Sequence, residues 1–392
     1  MSIKKSVLGG TLLIVGCCIG AGMLGIPLVT LSSGFFPSII PLLIGWIYMY
    51  SSGLMLLEIY LGKRKNINLM GLLESSLGRA AKIIGAFLFM FLFYSILTAY
   101  LNASSILIQD SLASIFNIYI SQGVSLIVNA VFLSLIILFG TRQVDFINRF
   151  LVALMFVFYL CLIGLGLCQV EMKYITISPR IDTVLWAVPL FIVSFGFQNL
   201  IPTISYYLKY NAKSIKAALF RGSVFSLIIY LIWNFVISGM IATSEQKTFE
   251  SSTTFLIKLF NAPAPKVAFF INGFSLLAIV TSLLTVSLSF VNFISDSSEN
   301  REHRLFYIAC VIIPPAAFSL LNPNVFCLAL HLAGGIGAIC LFGILPALML
   351  WRTRYIQKKH YKRVFPLGKG ALVAYLLVSL AIISIEIIHL FI

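Results

Sequence analysis

Charge is scarce in this chain. Asp, Glu, Lys and Arg together make up 10% of its 392 residues, whereas hydrophobic residues make up 60%. The mean hydropathy is +1.05. Soluble domains carry about 25% charged residues, so the composition excludes a soluble protein. Apolar runs long enough to cross a bilayer as helices predict an all-α polytopic membrane protein.

The motifs of several enzyme classes are also absent. The sequence contains neither H-E-x-x-H nor G-x-x-x-x-G-K-[ST], which hold zinc and nucleotide phosphates respectively. Seven cysteines lie within or at the ends of apolar runs, and none has metal-ligand spacing with histidine. No acidic cluster typical of a lipid-modifying enzyme and no continuous polar stripe typical of a channel is evident. We therefore predict no enzymatic activity, no cofactor and no bound metal.

The few charges are distributed unevenly. The chain has 27 Lys and Arg against 12 Asp and Glu. We predict eleven apolar spans, at residues 7–32, 39–61, 82–109, 122–140, 146–168, 183–208, 220–243, 267–294, 305–321, 325–350 and 370–392. With the N-terminus in the cytoplasm, 22 of the 27 basic residues fall on the cytoplasmic side. This predicts an external C-terminus and anionic membrane lipid, not nucleic acid, as the partner.

Glycines interrupt the first span, in the segment Gly20-Ala21-Gly22-Met23-Leu24-Gly25. The spelling G-x-G-x-x-G matches a dinucleotide-binding fingerprint, but that motif must follow a strand and open a helix. Here it lies in the middle of an uncharged apolar run. A helix broken at membrane depth frees backbone groups that need partners. The pattern therefore predicts a substrate site built from backbone.

The sixth span contains a second interruption. Pro189 is followed by Ser194-Phe195-Gly196-Phe197-Gln198-Asn199 and then by Pro202. Two breaks five spans apart are typical of transporters with a 5+5 inverted repeat. The alternative is a close-packing glycine face in span 1 and a proline kink in span 6. We expect one transporter domain, with repeat one at 7–168, repeat two at 183–350 and an extra helix at 370–392.

The two breaks suit a zwitterionic amino acid. The N–H groups of Ala21 and Gly22 would bind its carboxylate, and the carbonyls of Cys18 and Ile192 its ammonium. Aromatic residues near the breaks and on span 3 suit a ring-bearing side chain. The predicted substrate-binding residues are Cys18, Ile19, Gly20, Ala21, Gly22, Met23, Tyr94, Tyr100, Ile192, Ser194, Phe195, Gly196, Phe197, Gln198 and Asn199.

Candidates for a coupling ion are fewer. Hydroxyls of span 8 facing carbonyls of span 1 would form a cation site, although Ser and Thr also bond to their own helix. Ionisable groups inside a membrane are rare and usually functional. Near the end of span 2, Glu58 is expected to pair with Lys63 or reach the interface. The predicted coupling-ion residues are Gly16, Ile19, Thr281, Ser282, His331 and Glu58.

An ordered set of short motifs carries a resemblance. The segments are 19–24 with Pro27, 97–100, 144–151, 194–197 with Pro202, 314–318 and 332–334. Together they resemble the hydroxy/aromatic amino acid permease family of the amino acid–polyamine–organocation superfamily, and within it the bacterial tyrosine-specific permeases. The resemblance implies eleven spans, a leucine-transporter-like inverted repeat and proton-coupled uptake of tyrosine or tryptophan across the inner membrane.

Three positions depart from the family pattern. Gln198 stands where the tyrosine permeases often have His, Asn292 replaces an acidic residue, and His331 occupies an expected aromatic position. We predict a secondary active transporter for aromatic amino acids with its site between spans 1, 3, 6, 8 and 10. Spans 1, 2, 6 and 7 would rock against the remainder. A serine/threonine symporter and sodium-coupled aromatic uptake remain the alternatives.

Overall fold

The computed structural model describes residues 3–20, 22–30, 34–63, 67–175, 187–240, 265–298, 304–322, 324–358 and 363–391. Within these ranges the regular structure is helical, without a β-strand. In this part of the chain, nine helices are long and apolar enough to cross a membrane, and two shorter apolar helices are Val7–Cys18 and Gln122–Leu138. Each predicted span coincides with one of these helices, so the all-helical membrane architecture is confirmed.

The helices are numbered along the chain. They are α1 (Ile3–Cys18), α2 (Gly22–Thr30), α3 (Phe35–Lys63), α4 (Leu69–Leu77), α5 (Arg79–Phe116), α6 (Gln122–Leu138), α7 (Thr141–Leu167), α8 (Met172–Ile175), α9 (Val188–Ser194), α10 (Ile201–Tyr207), α11 (Ala212–Met240), α12 (Pro265–Ser298), α13 (Arg304–Leu321), α14 (Val325–Leu332), α15 (Leu345–Trp351) and α16 (Lys369–Phe391).

Spans 1 and 6 are each made of two helices. Span 1 consists of α1 and α2, and span 6 consists of α9 and α10 joined by a 3₁₀ turn at Gln198–Leu200. Pro189 and Pro202 lie in the first turns of α9 and α10. Proline fits a first turn because its missing N–H would have no partner there. The two discontinuous helices predicted from glycine and proline are therefore present.

Span 7, which is α11, holds spans 1 and 2 together through buried polar contacts. The Trp233 indole donates to the Met23 carbonyl at 2.9 Å. One helical position further, Asn234 accepts from Thr30 at 2.6 Å and donates to Ser38 at 2.9 Å. Buried polar groups are costly unless paired, so these contacts fix three spans relative to one another.

Span 10 departs from regular α-helix. After α14 the chain is π-helical from Ala333 to Ile344 before α15 resumes the α-helix. Gly334 lies so close to the Pro189 carbonyl of α9 that a methyl group in its place would overlap that oxygen. Long π-helical stretches are rare and often mark functional sites. This stretch was not predictable from hydropathy, which does not distinguish an α-helix from a π-helix.

The last span, α16, packs against span 2. The rings of Tyr48 and Tyr375 stack with centroids 4.4 Å apart, and the Tyr48 hydroxyl lies 2.8 Å from Ser379 Oγ. The Tyr375 hydroxyl also donates to the Tyr48 carbonyl at 3.2 Å. The last span is therefore tied to span 2 by specific contacts.

Near the other end of span 2, Glu58 is buried and ion-paired. Arg354 Nε and Nη2 lie 2.6 Å from its two carboxylate oxygens. The backbone N–H groups of Val364 and Phe365 donate to Oε2 at 2.7 and 3.0 Å. Glu58 is ion-paired, but the expected partner, Lys63, is wrong, since the partner is Arg354. The Arg354 guanidinium binds both carboxylate oxygens in a geometry that an ammonium cannot match.

Candidate functional site

The break in span 1 begins where α1 ends at Cys18. The Ile19 N–H still bonds the Val15 carbonyl, and the Met23 N–H bonds the Gly20 carbonyl at 3.0 Å, which closes a tight turn. Cys18, Ile19 and Met23 are buried. Helix α2 starts at Gly22, whereas Ala21 lies outside the described residues. The break therefore presents the carbonyl end of one helix beside the amide end of another.

The break in span 6 has the same polarity. Helix α9 ends at Ser194, the Gly196 N–H bonds the Val193 carbonyl at 3.1 Å, and the 3₁₀ turn follows. Ser194 Oγ bonds back to the Leu190 carbonyl within α9. Asn199 is partly exposed within the turn. This break too places a negative helix end next to a positive one.

The two breaks face each other. Cys17 Sγ lies 3.6 Å from the Gly196 carbonyl oxygen. From span 7, the Tyr230 hydroxyl lies 2.8 Å from the Ser194 carbonyl oxygen and also contacts the Cys18 carbonyl oxygen. A phenol has one hydrogen to donate, so the two carbonyls compete for it. The arrangement leaves acceptor capacity that a cationic ligand could use.

A third side of the site comes from spans 3 and 8. Ser282 Oγ lies so close to Gly20 that a methyl group there would overlap it. The Tyr100 hydroxyl bonds the Ser282 side chain and would lie 3.8 Å from the same methyl group. The structure thus joins three residues predicted on separate spans, and an alanine at position 20 would require the Ser282 hydroxyl to move.

Other predicted substrate residues serve packing. Tyr94 donates to the Cys310 carbonyl of span 9 at 2.9 Å, away from the breaks. Phe195 packs edge-on against Tyr230 with centroids 5.2 Å apart. Phe197 is fully buried against Gly53 of span 2. These contacts do not place any of the three rings in an open ligand subsite.

Two predicted residues of span 6 have polar atoms that already bond to other groups of the protein. Gln198 Nε2 donates to the Met49 carbonyl of span 2 at 3.0 Å. The Ile192 carbonyl accepts from the Phe195 N–H at 3.3 Å. At the end of α9, the Ser194 carbonyl accepts from Tyr230, which also contacts the Cys18 carbonyl of span 1.

The predicted cation residues are only partly brought together. Thr281 donates to the Leu277 and Ala278 carbonyls of its own helix, which was the alternative for span 8 hydroxyls. Ser282 reaches the break, and a methyl group at Gly16 would meet no atom of another element within 4 Å. Among the described residues, no three His, Cys, Asp or Glu side chains gather as metal ligands.

The two ionisable candidates are paired with residues that belong to neither break. Glu58 is bound by Arg354 and two backbone amides. His331 Nδ1 lies 3.4 Å from Glu386 Oε2 on α16. Sequence reasoning missed this carboxylate partner, although a buried acid in the last span was a signal for one. It also missed Tyr230, whose position inside an apolar span was the only indication.

The fold is that of a known class of transporter. The chain superimposes on the crystal structure of MhsT in complex with L-phenylalanine with a TM-score of 0.68, covering 97% of this chain and 98% of that one at 14% identity. This likeness establishes the leucine-transporter fold, with discontinuous first and sixth helices. The class defined by the helices and breaks is thus a polytopic membrane protein of the leucine-transporter fold.

Sequence comparison narrows the class. The chain is 30% identical over 367 residues to tyrosine-specific transport system 1 of Haemophilus influenzae, covering 90% of this chain and 89% of that protein. It is 26% identical over 386 residues to the low affinity tryptophan permease of Escherichia coli K12, covering 94% and 92%. Residues 3–388 match the tryptophan/tyrosine permease family, and the chain belongs to that family.

Proposed function

We propose that this chain imports aromatic amino acids, tyrosine foremost and tryptophan with it, by symport with protons. The observation that carries the proposal is the meeting of the two helix breaks at Tyr230, in a chain of the tryptophan/tyrosine permease family. Named relatives are tyrosine- and tryptophan-specific. An aromatic zwitterion matches both the breaks and these relatives.

The charged ends of the substrate are assigned to backbone. Its carboxylate would bind the amide end of α2, at Ala21 and Gly22, because helix N-termini attract anions. Its ammonium would bind the carbonyls of Cys18 and Ser194, which already share the Tyr230 hydroxyl. Ser194 replaces Ile192 here, since the Ile192 carbonyl has a backbone donor.

The ring of the substrate is assigned to the side formed by spans 3 and 8. Tyr100 and Ser282 approach Gly20 there, next to the proposed carboxylate site. A tyrosine ring offers both an edge and a face to an aromatic neighbour, and its hydroxyl matches a polar partner. Asn199, partly exposed in the turn of span 6, is a candidate for such a partner.

Transport would proceed by alternating access, with spans 1, 2, 6 and 7 moving as one body. The hydrogen bonds of three residues support this grouping. Trp233 ties span 7 to α2, Asn234 ties it to Thr30 of α2 and Ser38 of span 2, and Gln198 ties span 6 to span 2. Rocking such a body about a fixed site is the usual motion of inverted-repeat transporters.

The protein would reside in the bacterial inner membrane with its N-terminus in the cytoplasm. The distribution of Lys and Arg supports this orientation. It places α1 in the cytoplasmic half of the membrane and α2 in the external half. Both repeats would then present their breaks near the midplane, where neither side has direct access.

Uptake by the purified full-length chain in proteoliposomes tests the proposal. Radiolabelled L-tyrosine would be supplied outside under an imposed proton gradient, a sodium gradient or neither. We expect accumulation under the proton gradient alone, and inhibition by unlabelled tryptophan but not by serine. Empty liposomes and a protonophore provide the controls.

Each other outcome has a definite meaning. Inhibition by serine or threonine instead of tryptophan would assign the chain to hydroxy amino acid uptake. Accumulation driven only by sodium would mean that sodium, and not the proton, is the coupling ion. Tyrosine flux that is insensitive to both gradients would contradict symport altogether.

A further inference from the structure

Besides Glu58 and Arg354, the described part of the chain contains another buried pair of ionisable side chains, between spans 10 and 11. His331 Nδ1 lies 3.4 Å from Glu386 Oε2, and the two side chains are 6% and 1% exposed. Cys327, one turn earlier on α14, also contacts the imidazole. Two ionisable side chains buried together at membrane depth are costly unless they have a function.

The pair of His331 and Glu386 differs in two respects from the pair of Glu58 and Arg354. Both oxygens of Glu58 are occupied by a guanidinium that keeps its protons, and one also by two amides. Glu386 Oε1, by contrast, has no hydrogen-bond partner among the described residues. The separation of 3.4 Å also exceeds the roughly 2.7–2.9 Å of a charge-assisted bond. Glu386 thus retains room for a proton, whereas Glu58 does not.

The pair is also connected to the broken helix of span 6. The π-helical stretch begins two residues after His331. Its Gly335 leaves space for Glu386, since a methyl group there would lie 2.7 Å from the carboxyl carbon. The neighbouring Gly334 touches the Pro189 carbonyl of α9. A shift of Glu386 would therefore act on adjacent backbone that contacts the helix ending at Ser194.

Few other titratable groups face the pair. Helices α2 and α9, which pack on α14, contain no ionisable side chain. Span 3, which is α5, also packs on α14. Its Asp110 lies near the C-terminal end of α5. The π-helical stretch carries only Cys340. Besides Glu386, α16 carries Lys369 at its start, Tyr375 and His389, of which the His389 side chain lies outside the described part of the chain. Glu386 is thus the sole acid in contact with the imidazole among the described residues.

We propose that His331 and Glu386 together bind the proton that is transported with the substrate. This inference rests on the proposed proton symport. Without the proton, the pair is a neutral imidazole beside a carboxylate. One proton from the outer solution binds to the pair, making it neutral overall, and the same proton leaves to the inner solution after the conformational change. Span 11 is then part of the coupling machinery.

The test separates coupling from transport. Glu386→Gln and His331→Gln keep size and hydrogen bonding but remove the exchangeable charge. We expect each to lower proton-driven tyrosine accumulation by at least about ten-fold, within the range of coupling between two ligands. Counterflow, the exchange of labelled for unlabelled tyrosine without a gradient, should persist. Glu74→Gln is the matched control, because its carboxylate is 44% exposed and pairs with Lys82 at the surface.

A second variant keeps the proposal testable if Glu386→Gln inserts poorly. Gly335→Ala leaves both ionisable groups in place and pushes a methyl group against Glu386. It should weaken accumulation while sparing counterflow. Equal loss of both activities together with a lower melting temperature would mean a structural role, and full proton-driven accumulation in Glu386→Gln would refute the pair. Uptake by the unmodified chain driven by sodium and not by protons would overturn this inference together with the proton part of the proposed function. Proton-driven accumulation that survives in Glu386→Gln would overturn this inference alone, and absence of tyrosine uptake would overturn the proposed function.

Discussion

The Tyr230 hydroxyl lies 2.8 Å from the Ser194 carbonyl oxygen and at the same time contacts the Cys18 carbonyl oxygen. One side chain of span 7 therefore touches the ends of both broken helices. A single hydrogen cannot satisfy two carbonyls fully. An ammonium has three donors, so binding of an amino acid would relieve this shortage and draw the two breaks into a fixed relation.

Tyr230→Phe should impair uptake strongly. Losing a hydrogen bond that positions a charge-binding carbonyl costs about 1.5–3 kcal/mol, or roughly ten-fold or more in affinity. We expect the KM for tyrosine to rise by about that factor. The measurement is initial-rate uptake over a range of tyrosine concentrations.

Tyr159→Phe provides the comparison for that variant. The Tyr159 hydroxyl also donates to a backbone carbonyl of span 7, that of Ile229, but touches neither break. Its KM should stay close to that of the unmodified chain. Equal effects of the two substitutions would argue against a role of Tyr230 at the breaks.

Gly20→Ala should abolish or severely reduce uptake. The added methyl group overlaps Ser282 Oγ, so this hydroxyl, which bonds Tyr100 beside the break, must move. Adding Ser282→Ala removes that oxygen and leaves the Ser282 Cβ 3.5 Å from the new methyl group, an ordinary contact. The double variant should therefore regain uptake in the same liposome assay.

Gly164→Ala is the matched control for a glycine-to-alanine change inside a span. A methyl group at Gly164 would meet no atom of another element within 4 Å. Uptake should be unaffected. If the double variant stays as inactive as Gly20→Ala, steric overlap with Ser282 is not the cause of the loss.

Arg354→Gln should destabilise the protein. It leaves the buried Glu58 carboxylate with backbone donors alone, and breaking a buried pair costs about 3–5 kcal/mol. Arg149→Gln removes a pair with Asp145 whose side chains are 78% and 54% exposed, worth about 0–1 kcal/mol. Thermal unfolding in detergent should separate the two variants clearly, and Glu58→Gln combined with Arg354→Gln should recover part of the loss. Similar melting temperatures for Arg354→Gln and Arg149→Gln would contradict the ion-pair account.

The helices and the two breaks were predictable because their causes are local. Long apolar runs decide the spans, and glycines and prolines at mid-span interrupt the helix in spans 1 and 6. The partners of those breaks were not predictable. Tyr230 lies 212 positions from Cys18, and no pattern along the chain reveals such a contact.

The partners of the buried ionisable residues were not predictable from the sequence either. Hydropathy identified Glu58 and His331 as unusual, but not Arg354 or Glu386 as their partners. Those pairings depend on how spans 2, 10 and 11 pack, which composition does not encode. The predicted roles of the substrate and coupling residues remain predictions for the experiments above.

The partnership of Glu58 and Arg354 has a consequence for biogenesis. Their positions are 296 residues apart. At a synthesis rate of about 5–20 residues per second, Glu58 emerges roughly 15–60 s before the arginine that pairs with it. During that interval span 2 carries an acid without its final partner. The acid must remain near the lipid headgroups or be shielded by the insertion machinery until Arg354 arrives. Assembly of this protein is therefore completed only when the last fifth of the chain has been made.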